Sequence, residues 1–136
     1  MADDDAYDEL AAYTLAHGDP AFIHQHVVDA FAAQHATKDS KPIGVAFALI
    51  GLYLHVERGR SGREVQLAHM RLGRRRQHWP AFDLPPTRGE MTIADVLDAP
   101  PGPERDRAID EWCASVWRAW SGSRAGVIAL LNEMDE

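Results

Sequence analysis

The chain has 136 residues, of which 46% are hydrophobic and 26% charged, and its formal net charge is −7. This composition is typical of one folded domain that buries a core without disulfide bonds, and the acidic balance argues against general nucleic-acid binding. A single cysteine, Cys113, excludes an internal disulfide and a zinc cluster of several thiolates within one chain.

The N-terminal residues MADDDAYDEL lack the basic and apolar regions of a secretory signal, so we expect a cytoplasmic protein. A first helix is predicted over residues 7–16. Asp19 and Pro20 then supply an N-cap and a proline in the first helical position. They predict a second helix that runs to about Ala36.

Ser40 is placed to cap a third helix that begins at Pro42, runs to about Arg58 and stops at Gly59. This helix is apolar on every side until its last turn, which predicts a central, buried position. Its apolar stretch, residues 42–54, is too short to span a bilayer, so no membrane insertion is expected.

Ser61 and Glu64 have the spacing of a capping box and predict a fourth helix to about Gln77, antiparallel to the third. The region around this helix, residues 57–76, is rich in arginine. The run Arg74–Arg76 can bind an anionic substrate, or it can simply stabilise the C-terminus of the helix through the helix dipole.

The prolines of residues 78–92 predict an irregular segment that crosses the bundle, with Trp79 and Phe82 as apolar anchors. Thr92 is placed to cap a short helix that follows it.

A final helix is predicted from about Arg105 to Met134, with a break near the SGS of residues 121–123. No strand pattern is present. We therefore predict a single all-α domain over residues 1–136, a helical bundle of four main helices with short extra helices.

The histidines lie at positions that a helical core does not require. His24 and His26 are two residues apart, about 200° around a helix, so they face opposite flanks. Asp29 follows His26 by three residues, which puts carboxylate and imidazole on one side. We therefore place His26 at the inner face. Gln34 lies in the middle of that face and needs buried partners.

On the third helix, Gly44, Ala48, Gly51 and His55 fall along one line. Small side chains there permit close approach of a neighbouring helix, or they leave a cavity. His69 belongs to the inward stripe of the fourth helix. Three consecutive helices thus each bring a histidine to the interior.

From this coincidence we predict a metal-dependent enzyme that acts on a small molecule: a hydrolase, isomerase or transferase. Imidazoles bind Zn, Ni or Fe, and an open coordination position makes bound water a nucleophile. No organic cofactor is predicted. The expected ligands are His26, His55 and His69. The expected catalytic groups are Asp29, Gln34 and Arg76.

Two alternatives remain open. In one, His55 or His69 is a general base in a metal-free pocket that binds a small molecule. In the other, the histidines are satisfied within the core, and the protein is a structural module that forms a homodimer through the tryptophans of the final helix.

The chain also resembles a family of small bacterial proteins with a domain of unknown function. The resemblance rests on the segments YTLAHGDPAFIHQHVVDAFAAQ, KPIGVAFALIGLYLHVERGRSGREVQLAHM, WP and PPGPERDRAIDEWCASVWRAW. It implies that these histidine-bearing segments form one unit. A looser similarity, to the DinB-like four-helix metalloproteins, implies a divalent metal held by three histidines. The paired histidines four residues apart in that superfamily are absent here.

Overall fold

A computed structural model describes residues 3–16, 21–75 and 78–134 of the chain. Within them lie α-helices, one 3-10 turn at Ser121–Ser123 and no strand, which confirms the predicted all-α fold. None of these helices is both long and apolar enough to cross a membrane. The helices are α1 Asp3–Ala16, α2 His24–Gln34, α3 Pro42–Val56, α4 Gly62–Arg75, α5 Ile93–Asp98, α6 Pro103–Ala119 and α7 Arg124–Met134.

Helix α3 is the central element, as its apolar sequence predicts. Side chains such as Leu49, Ile50 and Leu52 are fully buried, and α3 contacts α2, α4, α6 and α7. Phe47, early in α3, stacks on His69 in the second half of α4. The two helices are therefore antiparallel, as the short connection between them predicts.

Local capping signals in the sequence are confirmed at two helices. The Ser61 hydroxyl accepts the N–H of Glu64, and the Glu64 carboxylate accepts the N–H of Ser61. Thr92 and Asp95 form the same reciprocal pair at the start of α5. Both pairs satisfy backbone donors that the first turn of a helix leaves open.

The predicted starts of α1 and α2 are wrong, and so is the predicted cap of α3, although α3 begins at Pro42 as expected; α1 begins at Asp3, four residues before the predicted start. Helix α2 begins at His24 rather than Pro20, because Phe22 has a φ of 57° and cannot be part of a helix. Asp19 and Pro20 lie outside the described residues. At α3 the N-cap is Lys41. The predicted cap, Ser40, instead accepts the backbone N–H of Thr37.

The strained turn before α2 supports the start of α4. The carbonyl of Ala21 accepts the N–H of Arg63 at 2.9 Å. A Cβ at Gly62 would lie 2.7 Å from the carbonyl carbon of Phe22, so this position needs glycine. The left-handed conformation of Phe22 costs about 1–3 kcal/mol and persists because these contacts hold it.

The segment of residues 78–92 crosses the bundle without regular structure, as its prolines predict. Trp79 packs edge-on against Phe47, with ring centroids 5.1 Å apart. Phe82 lies against the backbone at Gly126. The guanidinium of Arg88 donates to the carbonyls of Ala36 and Pro85 and lies over the ring of Trp120.

The tryptophans of α6 are core residues. Trp112 and Trp120 are fully buried, and their indole N–H groups donate to Gln34 and to the carbonyl of Ala33. Trp117, 6% exposed, donates to Glu57. They are therefore packed within the chain rather than available as the face of a homodimer, and the homodimer itself stays a prediction.

The final helical region is broken where the SGS segment predicts it. Helix α6 ends at Ala119, and α7 begins at Arg124 after the 3-10 turn. Arg124 binds both carboxylate oxygens of Glu57 at 2.7–3.0 Å. This bidentate pair joins α7 to the end of α3 and lowers the pKa of Glu57.

Candidate functional site

The two histidines of α2 diverge, as helical geometry predicts. The Nδ1 atom of His24 lies 3.0 Å from the hydroxyl of Thr14 on α1, and burial lowers the pKa of His24. His26, 5% exposed, faces the opposite way toward α3. His26 is therefore the member of the pair that reaches His55.

The rings of His26 and His55 stack at the end of α3. Their centroids lie 3.5 Å apart and their planes differ by 16°. The Nε2–H of His55 donates to Asp110 of α6 at 3.0 Å, and Nδ1 lies 3.4 Å from the carbonyl of Arg60. Three helices and the turn between α3 and α4 thus converge on one imidazole.

His55 lines an open cleft of about 530 Å³, which we call the His55 cleft. Its wall is formed by the segment before α2, the turn before α4 and the first half of α6. Three carboxylates and one guanidinium line it together with the stacked histidines. These charged residues are Arg60, Glu64, Asp106 and Asp110.

Asp106 connects the cleft to α1. The hydroxyl of Tyr13 donates to Asp106 at 2.7 Å, and it accepts the N–H of Gly102 at 2.9 Å. Burial, and then the hydrogen bond to Asp106, raise the pKa of Tyr13. Tyr13 therefore fixes the start of α6, on which both Asp106 and Asp110 lie.

Asp29 lies in the interior, beside Gly51, and does not line the His55 cleft. One carboxyl oxygen accepts a hydrogen bond from Gln25 at 3.2 Å. The other has no hydrogen-bond partner among the described residues. Because burial raises its pKa well above the ordinary value, the neutral acid is the favoured form.

The line of small residues on α3 serves close packing. A Cβ at Gly51 would overlap the carboxyl group of Asp29. The space that a side chain at Gly51 would take is therefore filled by Asp29 of α2. At Gly44 nothing lies within 4 Å of the position that a methyl group would take, and the residue is exposed. Of the two alternatives for this line of small residues, close approach of a neighbouring helix is therefore the one observed at Gly51.

Cys113 lies beneath the site as a packing residue. Its Sγ is fully buried and lies 3.7 Å from the carbonyl of His26. Burial, and then the nearby carboxylate of Asp110, raise the pKa of this thiol well above its ordinary value. A neutral thiol is a poor nucleophile.

His69 is separated from the other two histidines in its contacts. Its Nε2–H donates to the carbonyl of Phe47 at 2.8 Å, and its ring stacks on the ring of Phe47 with centroids 4.7 Å apart. Burial lowers its pKa. His69 is inward-facing, as predicted, but it is satisfied by the backbone of α3.

Gln34 is structural rather than part of the site. Its amide donates to the carbonyls of Arg88 and Met91 and accepts the indole N–H of Trp112. These hydrogen bonds link the crossing segment, residues 78–92, to the buried Trp112. Arg76, the other predicted polar group, lies outside the described residues.

In the described part of the chain, no group of three or more His, Cys, Asp or Glu side chains is arranged to hold a metal ion. The metal centre at His26, His55 and His69 stays a prediction. The positions of the side chains favour a site built from His26 and His55.

The carboxylates of α6 are the site residues that the sequence did not reveal. Asp106 and Asp110 are four residues apart and share a helix face, which was a usable signal. Nothing local, however, indicates that this face meets the end of α3. Ser61 and Glu64 were identified as a helix cap, and they also line the cleft.

Comparison with known families gives one match. The family model described as "Family of unknown function (DUF5946)" matches residues 4–121. No curated protein and no solved structure matches the chain, so the looser similarity to DinB-like proteins stays a prediction. The match covers both histidines of the cleft and the two carboxylates of α6 that line it, Asp106 and Asp110. Because it extends over most of the chain, the protein belongs to this family of unknown function.

Proposed function

We propose that the protein is a metal-free acid/base enzyme in which His55 transfers a proton to or from a small molecule bound in the His55 cleft. The observation that carries the proposal is the pairing of His55 with Asp110 at the wall of this cleft. A carboxylate that accepts one ring N–H orients an imidazole and fixes which nitrogen carries the proton.

The hydrogen bonds of His55 assign different roles to its two nitrogens. Asp110 holds the Nε2–H, so Nδ1 is the nitrogen that exchanges a proton. The carbonyl of Arg60, 3.4 Å from Nδ1, accepts a hydrogen bond when that nitrogen is protonated. In the neutral ring the lone pair of Nδ1 and this carbonyl are both acceptors, so no hydrogen bond joins them and Nδ1 is left to accept a proton from a ligand.

The stacked ring of His26 holds the ring of His55 in place. The two ring centroids lie 3.5 Å apart. His26 also covers one face of His55, which leaves the ring edge for a ligand. We assign His26 a positioning role.

The charges of the cleft favour a ligand with hydrogen-bond donors. Asp106, Asp110 and Glu64 face it together with Arg60. Glu64 is engaged by the cap, and Arg60 lies 3.7 Å from it. The carboxylates of α6 thus favour an amine or another cationic group.

A second imidazole and carboxylate pair provides an internal control. His35 contacts Asp3 at 2.9 Å, and the side chain of His35 is 33% exposed against 18% for His55. Its ring stacks on Phe31 rather than on another histidine. The pair of His35 and Asp3 therefore has the same type of hydrogen bond as the pair of His55 and Asp110, but it lies outside the His55 cleft.

The test uses 5-nitrobenzisoxazole, a neutral compound whose ring opens when a base removes one proton, so that it measures proton transfer alone and not the ligand preference of the cleft. We expect the wild-type protein to open it faster than free imidazole does. His55→Gln should lower that rate by about 100-fold or more, since a positioned base contributes about 10²–10⁴-fold. Asp110→Asn should lower it less, and His35→Gln should leave it unchanged.

Equal rates for the wild type and His55→Gln would overturn the proposal, as would equal losses in His55→Gln and His35→Gln. Ring ¹⁵N chemical shifts of His55 provide a second readout. They should show a proton on Nε2 in the wild type and a changed tautomer balance in Asp110→Asn.

A further inference from the structure

A second cleft, of about 450 Å³, lies between the end of α3, α4 and α7. We call it the arginine cleft because Arg58, Arg60 and Arg71 line it. Glu64 is the one carboxylate among its described lining residues. The cleft is thus positively charged on a chain whose formal net charge is −7.

Two of the three guanidinium groups are available to a ligand. Arg60 lies 3.7 Å from Glu64. Arg58 and Arg71 form no hydrogen bond or ion pair with the described residues, and both are exposed. They come from different helical regions, the end of α3 and the middle of α4, so they approach the cleft from two sides.

The base of the arginine cleft is apolar. Tyr53, 7% exposed, and the half-buried side chains of Leu54, Ile128 and Leu131 line it. An inorganic anion would use the guanidinium groups and leave this base without a partner. A ligand that fits both features carries an anionic group and an apolar body.

We propose that the arginine cleft binds a phosphate monoester of a small apolar group. Guanidinium groups form paired, charge-assisted hydrogen bonds with phosphate oxygens, and they hold phosphate better than a point charge does. Arg58 and Arg71 bind the phosphate, and the apolar part lies against Leu54 and Ile128. The two clefts share Arg60 and Glu64, whereas Arg58 and Arg71 line only the arginine cleft and His55 lines only the other.

The experiment is calorimetric titration of the full chain with phenyl phosphate. We expect saturable binding with a Kd of about 1 mM or tighter, weaker binding of inorganic phosphate and none of benzyl alcohol. Arg58→Gln and Arg71→Gln should each raise the Kd for phenyl phosphate about tenfold, since each removes a charge-assisted hydrogen bond. The control is Arg107→Gln, an exposed arginine of α6 that lines neither cleft, and it should leave the Kd unchanged.

A second variant tests the apolar base. Ala68→Leu narrows the cleft. It should raise the Kd for phenyl phosphate and leave the Kd for inorganic phosphate unchanged. The proposal is overturned if the wild type shows a Kd above about 10 mM, or if Arg107→Gln weakens binding as much as Arg71→Gln. Because Arg58 and Arg71 do not line the His55 cleft, neither variant should change the proton-transfer rate, and the two proposals fail separately.

Discussion

The packing of Asp29 against Gly51 allows a quantitative test with a matched control on the same helix. A Cβ at Gly51 would lie 2.5 Å from Cγ of Asp29, far inside contact distance. Gly44, also in α3, has open space at that point. Gly51→Ala should therefore destabilise the fold, whereas Gly44→Ala should stabilise it.

The magnitudes follow from two opposing effects. Replacing a helical glycine by alanine gains about 0.5–1 kcal/mol, and this is the full effect expected at Gly44. Overpacking a buried site costs about 1–3 kcal/mol. The buried carboxyl of Asp29 has little room to retreat, so we expect a net loss of about 1–2 kcal/mol for Gly51→Ala.

The assay is urea unfolding followed by far-ultraviolet circular dichroism. In Asp29→Ala the space that Gly51 leaves is no longer filled, so the double variant Asp29→Ala/Gly51→Ala should be more stable than the sum of the single changes predicts. The coupling free energy should be about 1 kcal/mol or more. Strictly additive losses, or a Gly51→Ala variant as stable as Gly44→Ala, would refute the assignment of the contact.

Three further outcomes are expected. Because burial raises the pKa of Asp29, its stabilising contribution is complete below the unfolded pKa of 3.8 and is lost as the pH rises through the raised value. The unfolding free energy of Asp29→Asn should thus equal that of the wild type at about pH 4 and be larger at about pH 8. For His69, whose pKa burial lowers, the contribution is complete above the unfolded value of 6.5 and is lost as the pH falls. As the pH falls below 6.5, the unfolding free energy of His69→Gln should therefore decrease less than that of the wild type. Gln34→Leu leaves three part-buried hydrogen-bonding groups without their partner and should cost about 1–3 kcal/mol, without altering proton transfer at His55. Gln66→Leu, at a half-buried position of α4 where the amide contacts only the exposed Arg63, should change the unfolding free energy by less than about 0.5 kcal/mol.

Features that depend on a few neighbouring residues were predictable from the sequence. The capping pair Ser61 and Glu64, the cap at Thr92 and the break at residues 121–123 are such features. The turn at Phe22 was not predictable, because its left-handed backbone is held by contacts with residues about 40 positions later along the chain. A sequence window contains no information about those contacts.

The site was predictable only in part for a related reason. Helical spacing correctly places His26 and His69 on inner faces, yet it does not determine which neighbour each one meets. His55 and Asp110 are 55 positions apart. Whether Gly51 leaves a cavity or receives a side chain depends on how α2 is rotated against α3. Both questions are decided by the packing of the helices.

The two clefts differ in how much of their lining lies within the family match. The family match ends at residue 121, before α7 begins at Arg124. All residues that line the His55 cleft fall within the matched range, whereas Ile128, Leu131 and Asn132 of the arginine cleft lie beyond it. A relative that shares only the matched range would have the first site complete and would lack one wall of the second. In such a relative we expect the proton transfer proposed for His55 without the phosphate-ester binding proposed for the arginine cleft.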